Sequence, residues 1–289
     1  MGTVFVLIAG SLWGAMGIFV RGLAACGLTS LEICLVRMAS SVALMTLYFL
    51  LFNRGALKIK LKDIWCFIGT GVFSLTFFGY CYFSTIQMTS MSVAAVLLYT
   101  SPVFVLLLSA LLFKERITKT KTVSVVVAIL GCTFVSGIFG GDAGITGAGF
   151  LMGLGSGLGY GLYSIFGRYA IKRKYNALTI TYYSFVFSGA ALLFITKPMD
   201  VVSKLSTGKV DINIYYVIGT AIVVTILPYI FYTLGLTRIE NSKAAVVACI
   251  EPIMATVLGF AVFKEVLSVY EIVGVALVLF AILLLSRDK

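Results

Sequence analysis

Histidine is absent from the 289 residues, which removes the commonest metal ligand and the usual proton shuttle near neutral pH. The six cysteines, at 26, 34, 66, 81, 132 and 249, form no CxxC pair and lie mostly inside apolar runs, so they read as packing thiols. No HExxH, GxSxG or P-loop occurs, nor any pair of aspartates inside an apolar run. An intramembrane enzyme therefore lacks its signatures, and the chain has no means of its own to bind ATP. No catalytic residue, metal or cofactor is expected. Charge is scarce as well: Asp, Glu, Lys and Arg make up 11% of the chain, against about 25% in a soluble domain. With 61% hydrophobic residues and a mean hydropathy of +1.09, a water-exposed surface is excluded. The composition is that of an integral, multi-pass membrane protein.

Lipid offers the backbone no hydrogen-bond partners, so membrane spans are helices or closed barrels. Barrel strands alternate apolar and polar residues over about ten positions. The apolar runs here are unbroken over about 20 residues, which predicts an all-α membrane protein. Ten spans are expected, at 3–21, 30–52, 63–86, 90–113, 121–139, 147–170, 177–196, 213–236, 242–263 and 269–286. The longest link runs from Lys197 to Asn213. No basic segment precedes the first apolar run, which reads as a span rather than a cleaved signal. The last span is almost purely aliphatic and, like its counterpart 121–139, is expected to pack or to face lipid.

The net charge of +11 acquires its meaning from where the cations fall. With the first terminus cytoplasmic, the inside loops and end hold Arg54, Lys58, Lys60, Lys62, Lys114, Arg116, Lys119, Lys121, Arg168, Lys172, Arg173, Lys174, Arg238, Lys243, Arg287 and Lys289. The outside loops hold Arg21, Lys197, Lys204, Lys209 and Lys264, and Arg37 lies within a span. This bias predicts both termini on the cytoplasmic side, in a bacterial cytoplasmic membrane. The basic charge then serves orientation and the match to anionic lipid, not nucleic-acid binding.

An internal repeat organises the chain. At a shift of 150, "SVAAVLLYTSP" (92–102) aligns with "SKAAVVACIEP" (242–252), and Phe113-Lys114-Glu115 with Phe263-Lys264-Glu265. At a shift of 147, Trp13-Gly14 meets Tyr160-Gly161, while Phe19 and Arg21 meet Phe166 and Arg168. Two five-helix halves follow, 1–140 and 145–289, joined near Gly140 to Gly147. Five is odd, so the second half enters the membrane upside down relative to the first, the inverted repeat of many secondary transporters.

The "LWGAMGIFVR" start (12–21), Arg37 in the second span, "AAVLLYTSPVFVLLLSALLFKE" (94–115) and its copy "AAVVACIEPIMATVLGFAVFKE" (244–265) resemble the drug/metabolite transporter superfamily, specifically the EamA-type permeases. The resemblance covers essentially the whole chain. It implies a ten-helix exporter of amino acids and other small polar metabolites, with a central cavity between the halves. Trp13 has only Tyr160 as its repeat partner, so the cavity lining need not be symmetric.

Several residues are candidates for substrate binding and translocation. Glu251, nine residues after Ser242, lies roughly 13 Å into a core about 30 Å thick. A charge at that depth usually faces a cavity or a partner, and Pro252 beside it removes a backbone donor and frees a carbonyl. Glu251 is expected to bind substrate or a proton, to form a structural ion pair, or to sit nearer the interface. Arg37 is expected to hold a substrate carboxylate, to pair with Glu32 or Glu251, or to snorkel outward. The tyrosines within spans, Tyr80, Tyr82, Tyr99, Tyr160, Tyr163, Tyr229 and Tyr232, and with them Trp13, line the cavity or form interfacial belts. Belts suit Tyr48, Tyr169, Tyr182, Tyr183, Tyr215 and Tyr216, toward span ends. Pro102 and Pro252 mark helix breaks. Gly14 and Gly161, in "GSLWGAMG" (10–17) and "GLGSGLGYG" (153–161), suit close helix packing or a gate. The expected partners are a small-molecule substrate, the bilayer and a coupled proton; the oligomeric state stays open between monomer and homodimer. The reading is a secondary transporter exporting small polar metabolites by alternating access. An uncoupled facilitator or channel and a non-transporting scaffold are the alternatives.

Overall fold

The computed structural model describes residues 1–136, 138, 146–206, 210–264 and 268–286. Most of the joint expected between Gly140 and Gly147 lies outside the described residues, as do Lys209, Glu265, Arg287 and Lys289. Among the described residues every regular element is helical and none is a strand.

The long helices are α1 (Gly2–Ala25), α2 (Ser30–Phe52), α3 (Leu61–Met88), α4 (Met91–Phe113), α5 (Lys119–Val135), α6 (Gly147–Lys172), α7 (Ala177–Ile195), α8 (Ile212–Leu236), α9 (Asn241–Val262) and α10 (Val269–Ser286). Eight of them are long and apolar enough to cross a membrane. The other two fall short for simple reasons. α5 has 17 residues, and α6 is diluted by glycines that add no apolar surface. The link expected between 197 and 213 carries a short helix of its own, Pro198–Ser206, which buries Val201.

Polar caps start these helices by satisfying the free N–H groups of a first turn. Thr29 and Glu32 form a capping box on α2. Ser90, Thr118, Thr146 and Asn176 accept from Val93, Lys121, Gly149 and Thr179. α4 and the second part of α9 each end on a lysine in the left-handed region, Lys114 at φ 59° and Lys264 at φ 57°.

The packing repeats itself when helix n is exchanged for helix n+5. α1 packs on α8 and α9, and α6 packs on α3 and α4; α2 pairs with α7, α4 with α9 and α5 with α10. Irregularities repeat too. A π-helical turn occupies Gly69–Thr76 in α3 and Ile222–Ile226 in α8. α4 breaks after Leu98 and α9 after Ala248, where Cys249 caps the first segment.

The pairing of α5 with α10 rests on two glycines. A Cβ on Gly131 would lie 2.9 Å from both the Gly274 oxygen and the Val278 nitrogen, and one on Gly274 would lie 2.6 Å from the Gly131 oxygen. Backbones approach this closely only where side chains are missing. The outer faces of the pair present Val126, Leu130, Phe280 and Leu283 to their surroundings. Each helix thus packs on its counterpart with one face and is exposed on the other. Gly131→Leu is expected to cost about 1–3 kcal/mol through overpacking and to lower the thermal unfolding midpoint of the purified protein. Gly17→Leu, at an exposed site with nothing within 4 Å of the added carbon, should leave it in place. Equal midpoints for the two variants would contradict the crossing.

Candidate functional site

The site forms where α9 breaks. Pro252 has no N–H, so the Ala248 carbonyl one turn earlier loses its intrahelical donor. The segment resumes at Ile250 and places Glu251 at its first turn. α1 lies directly against this break. A Cβ on Gly14 would sit 2.8 Å from the Glu251 carbonyl oxygen and 2.9 Å from the Ala255 nitrogen, and one on Gly10 would sit 3.2 Å from the Ala248 oxygen. The same arrangement recurs at the break of α4, after which Pro102 sits in the first turn of the continuing helix. There a Cβ on Gly157 would approach the Leu97 oxygen to 2.8 Å and the Leu98 oxygen to 3.2 Å, and Gly161 faces Val105 and Ser101. The small residues of both stripes are therefore packing surfaces for the interrupted helices.

The Glu251 carboxylate, partly buried, accepts a 2.9 Å hydrogen bond from the Tyr160 hydroxyl of α6. Tyr160 is the near edge of an aromatic cluster. Trp13 of α1 meets Tyr160, Tyr229 and Tyr232 at ring-centroid distances of 6.1, 5.0 and 5.3 Å. Tyr163 lies 5.0 Å from Tyr229, and Phe78 of α3 lies 5.5 Å from Tyr160. Most of these contacts are edge-on or tilted, the geometry that ring quadrupoles favour. Two phenols are satisfied locally, Tyr163 with the Thr233 hydroxyl at 2.9 Å and Tyr232 with the Ser164 hydroxyl at 2.8 Å.

Trp13, Ser74, Leu75, Phe78, Tyr160, Tyr163, Tyr229 and Tyr232 enclose a cavity of about 10 Å³. That is the room of a single water. The rings of both halves narrow the space between them to this volume. Ser74, Leu75 and Phe78 were not anticipated. Phe78 stands one helical turn before Tyr82, and that spacing was the available signal.

The other candidates fall in different places. Tyr82 stacks on Phe78 at 5.8 Å, and Tyr99 is buried at the α4 break. Both lie within electrostatic reach of Glu251 without lining the cavity. Tyr80 stands apart, 46% exposed on the outer surface. Of the tyrosines assigned to belts, Tyr48 and Tyr215 are exposed, whereas Tyr182 is buried and shares a hydrogen bond with Thr46. Arg37 is buried and donates from Nε to the Thr225 hydroxyl, 3.2 Å away in the π-helical turn of α8. Neither expected ion pair forms. Glu32 is taken by Lys204 at 2.8 Å and by its capping box, and Glu251 is bonded to Tyr160 while lying within Coulombic reach of Arg37. Burial and the hydrogen bond to Thr225 also exclude outward snorkelling.

Toward the end of the bundle that carries most of the lysines, the halves are joined by Glu115. Its carboxylate accepts from the Asn241 and Ser242 amides at 2.9 and 3.3 Å and from the Ser242 hydroxyl at 2.8 Å. Glu240, at the capping position of α9, makes no side-chain cap bond, so Glu115 serves as the cap from the link between α4 and α5. Arg168 donates to the Asn241 side chain at 2.8 Å, and Lys121 pairs with Glu240 at 2.5 Å.

The sequence profile of the EamA-like transporter family matches twice, over residues 1–137 and 147–287. The chain belongs to the EamA-like transporter family. Its relatives cover about two thirds or more of it. One uncharacterized transporter of Archaeoglobus fulgidus is 27% identical over 99% of this chain and 97% of its own length. A second from that organism is 29% identical over 88% and 91%, and transporter YyaM of Bacillus subtilis, also uncharacterized, is 24% identical over 84% and 80%. A crystal structure with 18% identity superposes with a TM-score of 0.81, covering 100% of this chain and 99% of that one, and so shares the fold. This EamA-family protein is thus a multi-pass membrane transporter.

Glu115→Ala leaves the first amides of α9 without their acceptor and is expected to cost about 0.5–2 kcal/mol. Glu115→Gln keeps a carbonyl acceptor and should cost less. Thermal unfolding of the two purified variants checks the order; a destabilisation of Gln equal to that of Ala contradicts the capping role.

Proposed function

We propose that this protein exports small polar metabolites, amino acids first among them, by alternating access between two five-helix halves, 1–140 and 145–289, set in opposite orientations in a bacterial cytoplasmic membrane with both termini cytoplasmic. The recurrence of contacts under exchange of n with n+5, the paired π-helical turns and the double family match support the inverted ten-span arrangement. Any driving force is a gradient, since no nucleotide-binding motif is present.

The observation that carries the reading is the carboxylate of Glu251 at a proline-interrupted helix, held by Tyr160 at the edge of an aromatic cluster drawn from both halves. A partly buried acid with one neutral hydrogen-bond partner is an acceptor for a substrate ammonium or a proton. Arg37, held by one threonine hydroxyl, keeps donors for a substrate carboxylate. The rings supply apolar walls for the side chain between them. A cavity of about 10 Å³ holds no amino acid, so substrate enters when Trp13 on α1 parts from Tyr229 and Tyr232 on α8. Parting the halves on one side while Glu115 or the Glu32–Lys204 pair holds the other gives alternation.

In proteoliposomes, Glu251→Gln and Arg37→Ala are expected to lower amino-acid counterflow by roughly tenfold or more, about 1.4 kcal/mol of lost stabilisation. Glu251→Gln should also flatten its pH dependence. Tyr160→Phe, which removes one hydrogen bond to a charged group, should cost less than Glu251→Gln. Wild-type rates and pH dependence in both Glu251→Gln and Arg37→Ala would overturn the proposal, and flux without counterflow stimulation would identify a facilitator.

A further inference from the structure

Away from the central cluster, a groove of about 350 Å³ opens between the α2–α3 link and the α6–α7 turn. Its size lies within the range of small-ligand sites, about 300–1,000 Å³. Lys58, Lys60, Arg173 and Lys174 line it, all exposed. The backbone is extended at Lys58 and Lys60, so these two side chains project to one side. Lys174 adopts the left-handed region at φ 66°, which turns the chain at the opposite wall.

Two features separate this groove from a merely basic loop. The first is that its walls are fastened together. The Lys60 amide donates to the Tyr175 hydroxyl at 3.0 Å, and that hydroxyl donates to Asp63 at 2.8 Å. The Thr179 hydroxyl donates to the Ala56 carbonyl at 2.9 Å and the Tyr183 hydroxyl to the Leu57 carbonyl at 2.7 Å. The second is that the acid beside it is already consumed. Asp63, buried, takes Arg173 Nε at 2.8 Å and Tyr175. The ammonium groups of Lys58, Lys60 and Lys174 have no partner among the described residues. Three free cations thus face one preformed concavity, with the guanidinium of Arg173 beside them. Trp65, over which Arg173 stacks at 4.8 Å, is 39% exposed beside the groove, as suits an aromatic side chain near a membrane interface.

We propose that this groove binds a phosphate-bearing anion, carried by an anionic lipid headgroup or free in solution. Basic pockets between membrane helices take such headgroups, and ammonium groups bind phosphate as point charges. Because the walls come from residues 55–60 and 173–179, one on each side of the chain's midpoint, a bound anion bridges the two repeats.

The test uses the full-length protein and two charge-matched triple variants. One is Lys58→Gln/Lys60→Gln/Lys174→Gln. The other, Lys114→Gln/Arg116→Gln/Lys119→Gln, removes three exposed cations from a different loop. Native mass spectrometry from mixed micelles measures retention of phosphatidylglycerol against phosphatidylcholine, and inorganic phosphate is titrated against chloride at constant ionic strength. The wild type and the second variant should prefer phosphatidylglycerol by roughly tenfold or more, and the groove variant should lose that preference. Phosphate that displaces the lipid, or that alone raises the unfolding midpoint of wild type but not of the groove variant, supports a site open to free phosphate as well. Retention by lipid without a phosphate effect supports the headgroup as the source. Equal retention by the groove variant and wild type with no phosphate effect, or equal loss in both triple variants, overturns the proposal.

Discussion

The structure depends on how closely two glycine faces approach two interrupted helices. Inside a bilayer no hydrophobic force draws helices together, because lipid tails are as apolar as the side chains they meet. Association rests on packing, and packing is tightest where backbone meets backbone. Gly10 and Gly14 bring α1 onto the break of α9, and Gly157 and Gly161 bring α6 onto the break of α4. Each proline removes a donor at the place a glycine faces, so the irregular backbone is buried in protein rather than shown to lipid. A side chain on Gly14 would meet the Glu251 carbonyl oxygen at 2.8 Å and the Ala255 nitrogen at 2.9 Å, so α1 could not keep its place against the break that carries Glu251.

Charge is then distributed by strength of partner. In the middle of the bundle Glu251 and Arg37 are met by neutral hydroxyls, of Tyr160 and Thr225. Toward the ends the partners are stronger: Glu115 on the amides of α9, Lys121 on Glu240, Lys204 on Glu32. The aromatic rings at the centre leave space for one water and give the cluster its apolar walls.

Much of this was legible in the chain. Apolar runs, polar caps and the 150-residue repeat located the long helices to within a few residues, since each reports a local requirement of a helix in lipid. Glu251, Pro252, Trp13 and the spaced tyrosines stood out because polar or helix-breaking groups are expensive at that depth. The link after Lys197 holds a helix that the apolar runs did not show. The helix within it, Pro198–Ser206, is short and mostly exposed, burying only Val201, and so carries little hydropathy signal.

The sequence by itself determined that the chain is helical, membrane-embedded and duplicated, and which residues were candidates for work inside the bilayer. Only the tertiary structure decided that Arg37 meets Thr225 instead of Glu32, that Tyr80 faces outward while Tyr160 reaches Glu251, that the cavity among the rings is small, and that three lysines share a groove. The division has a physical cause. Hydropathy records the solvent a segment requires, whereas a side chain's partner depends on the rotation and depth of its helix against another, and one residue of slip turns it by about 100°.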